Sequence, residues 1–220
     1  MPDTTALDSI SDSYSRLAPG WAAMAATTPL RPITRTLIEA FAERLWTGGV
    51  PGPVADVGCG PGRETALLSD LGLDAFGVDL APGMVDEARR AHPALRFEVG
   101  SLLSLDVADN SLAGLLASYS IIHLRPEQRP RAFAEFHRVL APGGLAMLLF
   151  QVGSDSGHRT EADGHEIDLP WHRLQPADVT AQLRTAGFTI WLQTVREPDP
   201  DEKVPQACVI ARKPAPPEQP

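Results

Sequence analysis

Apolar runs and helix-period segments alternate along most of this chain. Residues 53–58, 75–80, 96–100, 112–118 and 144–151 are short, nearly continuous apolar stretches and read as buried strands. Between them, 63–71, 82–91 and 127–140 repeat apolar positions at helical spacing, with Pro82 and Pro126 suited to first turns. Strand, helix, strand repeated in this way predicts an α/β domain: a doubly wound, mostly parallel sheet with helices on both faces. Gly143-Gly144 after Pro142 marks a turn out of the 127–140 helix. A short helix over 176–186 ends at Gly187, a suitable residue for a left-handed C-cap. Two β-rich runs follow, 189–196 and 206–212, and the loop between them is too short for a crossover, so they form an antiparallel pair.

Two segments fall outside the alternation. Residues 1–32 read as an N-terminal helical cap on a domain spanning 33–213, and 153–172 read as an irregular, polar lid inserted into it. The proline-rich end, 214–220, is expected to be disordered.

With 43% hydrophobic residues, the chain of 220 can bury one substantial core and has little room for a second domain. Its formal charge of −9 and lack of any Lys/Arg run argue against nucleic acid and anionic membranes, which need a basic footprint. A small-molecule partner suits that charge better. The N-terminus has no signal-peptide pattern and no apolar run approaches a bilayer span, so the expected location is cytoplasmic. Cys59 and Cys208 stand apart and form no CxxC pair, which points to neither a disulfide framework nor a zinc site.

The chemistry is concentrated where the first strand meets the first of these helices. Gly58, Gly60 and Gly62, with Cys59 between the first two, allow a tight turn and let a ligand lie against bare backbone at a helix N-terminus. Asp79 ends the next strand, where a doubly wound sheet places a carboxylate beside the loop to accept ribose hydroxyls. Dinucleotide enzymes use G-x-G-x-x-G. Here the third glycine comes one residue sooner, and Asp56 precedes the first by two.

That pattern resembles motif I of the class I S-adenosylmethionine-dependent methyltransferases. The resemblance continues through 76–90, through 98–102, through 118–124 and through 136–144, the last similar to their R-V-L-x-P-G-G segment. It implies the class I methyltransferase fold, with a seven-stranded, mostly parallel sheet closed by the antiparallel pair. It also implies methyl transfer from S-adenosylmethionine, with S-adenosylhomocysteine as product. Carried over by position, the three glycines would line the methionine and ribose, with Asp56 ordering the loop. Asp79 would hold the ribose, Leu80 and Met84 would pack on the adenine, and Ser101 and Leu102 would address its edge. Ser118 would lie near the methionine amino group, and Tyr14 would fold over the methionine end. Many relatives carry Asp where this chain has Ser101, so the adenine amine would be held by a hydroxyl or by backbone.

For catalysis, His123 after the fourth strand is the candidate base, with a packing or capping histidine as the competing reading. Trp21, Tyr119, His158 and Trp171 are candidates for acceptor contacts. His158, His165 and His172 recur every seven residues, but Gly164 and Pro170 interrupt any continuous helix, so no metal site is expected. Nothing in the sequence ranks O-, N- and C-nucleophiles as acceptors. An NAD-dependent oxidoreductase is disfavoured by the glycine spacing. A protein of this fold that binds the cofactor without transferring methyl would carry the same motif.

Overall fold

The computed structural model describes residues 2–215, with backbone alone at 2–5. Two helices come first, α1 (Pro2–Thr27) and α2 (Pro32–Gly48). Then β1 (Val54–Val57), α3 (Arg63–Asp70), β2 (Ala75–Asp79), α4 (Pro82–Ala91), β3 (Arg96–Val99) and β4 (Leu112–Ser118) alternate as the hydrophobic pattern requires. A 3₁₀ turn at Ile121–His123 leads to α5 (Arg129–Val139) and β5 (Leu140–Gln151). A hairpin, β6 (Ser156–Ala162) and β7 (His165–His172), precedes α6 (Pro176–Thr185), β8 (Thr189–Arg196) and β9 (Gln206–Arg212). The expected disordered tail falls, from residue 216 onward, outside the described residues.

Seven strands make one sheet in the order β3-β2-β1-β4-β5-β9-β8. The first five are parallel, whereas β9 inserts antiparallel between β5 and β8. Central strands of such a sheet are covered on both faces, which is why β1, β2 and β4 read as unbroken apolar runs. One face packs Phe133, Phe136 and Leu183 of α5 and α6 against Leu115, Leu148 and Phe150. The other packs Ile38 and Phe41 of α2 and Leu68 of α3 against Leu116 and Met147.

Two local readings differ from the sequence expectation. The Pro142-Gly143-Gly144 segment is not a turn before the strand. β5 already pairs at Leu140 with Leu112, bulges out around Gly143 (φ 87°), and resumes at Leu145 opposite Gly114. The segment 153–172 is not irregular either. Its strands pair antiparallel from Ser156 opposite His172 to Ala162 opposite His165. Asp163 and Gly164 have φ of 51° and 75°, the two left-handed positions that a tight hairpin turn of type I′ requires. β6 is mostly exposed, but β7 buries Ile167 and Leu169 against Ile10 and Leu17 of α1. Among the described residues no helix is long and apolar enough to cross a membrane.

Candidate active site

The strand order reverses between β1 and β4, and the β1–α3 loop leaves the sheet beside that crevice, where doubly wound sheets bind ligands. All three loop glycines are left-handed, with φ of 77°, 53° and 85° at Gly58, Gly60 and Gly62. They serve different purposes. A Cβ on Gly58 would collide with the Ser120 side chain, and one on Gly62 would meet the Phe97 ring at 2.7 Å. A Cβ on Gly60 would meet nothing within 4 Å. Packing therefore explains the outer two glycines, whereas the middle one faces open space against bare backbone.

Asp79 stitches the loop to β2. One carboxylate oxygen accepts the Gly60 amide (2.8 Å) and the other accepts the Ala81 amide (2.9 Å). Each oxygen keeps a further lone pair. Burial raises the Asp79 pKa, and the backbone donors oppose that shift. Asp56 is fully enclosed, with Oδ2 accepting from the Thr65 hydroxyl at 2.6 Å while Oδ1 has no partner. Burial pushes its pKa up to about 8. Cys59 is buried, and burial raises its thiol pKa, so it is an inert wall of the loop.

The remaining expected cofactor residues lie on neighbouring elements. Met84 is buried with Ala18, Ala81 and Tyr14, and Leu80 packs beside Ile10 and Leu17. The Ser101 hydroxyl accepts the Leu103 amide (3.2 Å) in its own turn, and Leu102 packs on the α5 side of the core. Ser118 ends β4, half-buried. Ser120 was not singled out by sequence reasoning. Its Oγ is buried, has no partner and stands against Gly58. The signal available was its place two residues past Ser118, at the edge that faces the loop.

α1 lies over this edge. The Ser11 hydroxyl donates to the Leu80 carbonyl (3.0 Å), the Gly83 amide donates to Ser15 Oγ (3.2 Å), and the Asp168 amide of β7 donates to Ser13 Oγ (2.8 Å). Tyr14 and His123 meet here, 2.7 Å between the phenol oxygen and Nε2, while His123 Nδ1 lies 2.7 Å from the Pro170 carbonyl oxygen. A carbonyl only accepts, so Nδ1 carries the proton and Nε2 accepts from Tyr14. Burial lowers the His123 pKa and raises that of Tyr14, which favours the neutral pair.

The candidate acceptor contacts do not form one cluster. Trp21 stacks obliquely on Tyr14 at 6.4 Å. Trp171 lies across Gly157 in the hairpin and under Arg173. His158 is half exposed and pairs with Asp168. Tyr119 has a left-handed backbone (φ 54°) and sends its hydroxyl to Gln206 on β9 (3.0 Å). His165 and His172 sit at opposite ends of β7, roughly 23 Å apart along an extended strand, so they cannot share an ion with His158. Neither of two distinct cavities, about 90 and 80 Å³, is lined by the glycine loop.

Comparison with known proteins agrees with this architecture. Residues 54–144 match the family model described as a methyltransferase domain. The chain is similar to the malonyl-[acyl-carrier protein] O-methyltransferase of Serratia marcescens, 28% identical over 84% of this chain and 74% of that protein. It is also similar to the demethylmenaquinone methyltransferase of Renibacterium salmoninarum, 31% identical over 54% of this chain and 53% of that one. The matched region spans about half the length of several other curated relatives. Among solved structures, an S-adenosylmethionine-dependent methyltransferase of Methanosarcina mazei superimposes with a TM-score of 0.68 at 20% identity, over 76% of this chain and 94% of that one. Strand order, glycine loop and family model agree: residues 54–144 are a methyltransferase domain, set in a sheet with the class I S-adenosylmethionine-dependent methyltransferase fold.

Proposed function

We propose that this protein binds S-adenosylmethionine at the β1–α3 loop and transfers its methyl group to a small-molecule acceptor in the cytoplasm. The observation that carries the reading is Gly60, whose open face stands beside a buried Asp79 that still has lone pairs to give. The orphaned Ser120 hydroxyl adds a polar contact for the methionine end. When bound, the cofactor supplies an activated methyl on a cationic sulfur, so the protein need only align the reactants and exclude water. Held there, the cofactor would supply the methyl carbon and leave as a neutral thioether, and an acceptor that carries a proton on its nucleophile would give that proton to a base.

Tyr14 and His123 are arranged to take that proton. The phenol passes its own proton to Nε2 as it accepts one from the acceptor, and the Pro170 carbonyl steadies the imidazolium that forms. Residues 1–32 and the 153–172 hairpin act as the closing elements over the site, with Trp21, His158 and Trp171 on that lid. The relatives are named for demethylmenaquinone and for a malonyl group on acyl carrier protein, so their acceptors are mixed. The charge of −9 supports a small or carrier-held acceptor over nucleic acid.

Titration calorimetry tests the cofactor. S-adenosylhomocysteine should bind at least about 100-fold more tightly than NADH, a gap of about 2.7 kcal/mol. Comparable affinity for NADH would overturn the proposal.

A further inference from the structure

Tyr119 points away from the glycine loop. Its left-handed backbone, unusual for a bulky residue, turns the ring out of the β4 strand end into a separate cavity of about 80 Å³. This space lies at the same edge of the sheet as the loop, where β4 and β5 end and β9 begins. Thr34 and Leu37 of α2, Leu149 of β5, and Ala207 and Cys208 of β9 line it with Tyr119. Burial pushes the Cys208 thiol pKa up to about 12, so it contributes an apolar surface and no nucleophile.

Arg196, the charged side chain lining the cavity, is already paired. Arg196 is bidentate to Glu202 (2.6 Å to each oxygen), and Arg31 reaches Asp199 (2.8 Å) and Asp201 (2.5 Å). The Tyr119 hydroxyl donates to the side-chain oxygen of Gln206 (3.0 Å), and both line the cavity, a neutral donor–acceptor pair that a ligand could enter. Tyr119 packs against both halves of the core and lies in sequence between Ser118 and Ser120, so it joins this chamber to the strand end beside the glycine loop.

We infer that this chamber receives the apolar end of the methyl acceptor, and that the acceptor is a neutral molecule with a short branched alkyl group beside one hydrogen-bonding group. The inference rests on the methyl-transfer reading. Size points to the class: the volume is about half that of an engineered cavity that holds benzene, which suits a four- or five-carbon group. Tyr119 and Gln206 then select for one neutral polar group on that alkyl chain. Tyr119 is a specificity-determining residue and takes no proton in the reaction.

Isobutanol is the probe, added to methyl-labelled full-length protein saturated with S-adenosylhomocysteine and followed by NMR. The methyls of Leu37 and Leu149 should shift saturably, while those of Ile167 and Leu169 in the hairpin stay still. Cys208→Met and, as a second filler from another wall, Thr34→Leu should each weaken the probe at least tenfold while S-adenosylhomocysteine binds within twofold of wild type. Isobutyrate, a charged isostere, should bind at least tenfold more weakly than isobutanol. Shifts that persist in both filled variants, shifts confined to the hairpin, or equal binding of isobutyrate would overturn the inference. Isobutanol seated in the chamber of a protein that fails to bind S-adenosylhomocysteine would overturn the methyl-transfer reading instead, and with it the identity of the occupant as an acceptor.

Discussion

Tyr14→Phe removes a single hydroxyl and keeps the ring against Trp21 and His123, so it isolates one hydrogen bond between α1 and the rest of the site. The loss leaves His123 Nε2 buried without a donor, which costs about 1–3 kcal/mol and corresponds to roughly 5- to 150-fold in an opening equilibrium. Ile10, Leu17, Ile167 and Leu169 are each less than 9% exposed, and each contributes roughly 1.5–3 kcal/mol of burial. Together they outweigh one hydrogen bond, so α1 should loosen without detaching. Hydrogen exchange is the assay. Amides of α1 and β7 should exchange about 5- to 150-fold faster in the variant, and those of β4 and β5 at the wild-type rate.

The wild type should show the same loosening with acid. Burial lowers the His123 pKa from its usual 6.5 in the closed state, so closing releases protons. This contribution to closure is complete above pH 6.5 and is lost as the pH falls through 6.5 toward the lowered value. Exchange in Tyr14→Phe that matches wild type, or that rises equally in β4 and β5, would refute the reasoning. The first result would mean that the bond does not hold α1, and the second that the whole domain has been destabilised.

Two further outcomes follow from the site. Gly60→Ala should fold with only the cost of a left-handed residue, about 1 kcal/mol, yet bind S-adenosylhomocysteine at least tenfold more weakly; Gly58→Ala should be clearly less stable in thermal melts because its Cβ collides with Ser120. Equal stability of the two variants would contradict the division of labour in the loop. His123→Gln should lower turnover by about 100-fold while S-adenosylhomocysteine binding stays within twofold, and a loss of only a few-fold would leave His123 a packing residue.

The sheet was legible because its strands are buried on both faces, which makes them apolar throughout and easy to tell from amphipathic helices. The β8 and β9 bounds match the two β-rich runs residue for residue. The hairpin was missed for the opposite reason. β6 is mostly exposed and carries no apolar stripe, so only the Asp163-Gly164 turn and the alternation of Ile167, Leu169 and Trp171 mark the hairpin in the sequence. In the site, motif spacing located the glycine loop and Asp79 but not which glycine faces open space, because that depends on Ser120 and Phe97, which arrive from other strands. Nor could spacing pair Tyr14 with His123, 109 residues away, or turn Tyr119 aside, since a left-handed backbone at a tyrosine leaves no trace in the sequence.

The docking of α1 on β7 also bears on how the chain is made. α1 is made before the sheet it covers; Leu80 can meet Ile10 and Leu17 early, but Ile167 and Leu169 complete their burial only much later, and the Ser13–Asp168 hydrogen bond closes a separation of 155 residues. Through most of synthesis the helix therefore carries a partly uncovered apolar stripe, while β1 to β5 can already pair behind it. Closing so large a loop late is entropically slow. The contact between α1 and β7 therefore forms late, and a nascent chain halted before residue 165 would leave Ile10 and Leu17 partly uncovered, a surface to which chaperones or other chains could adhere.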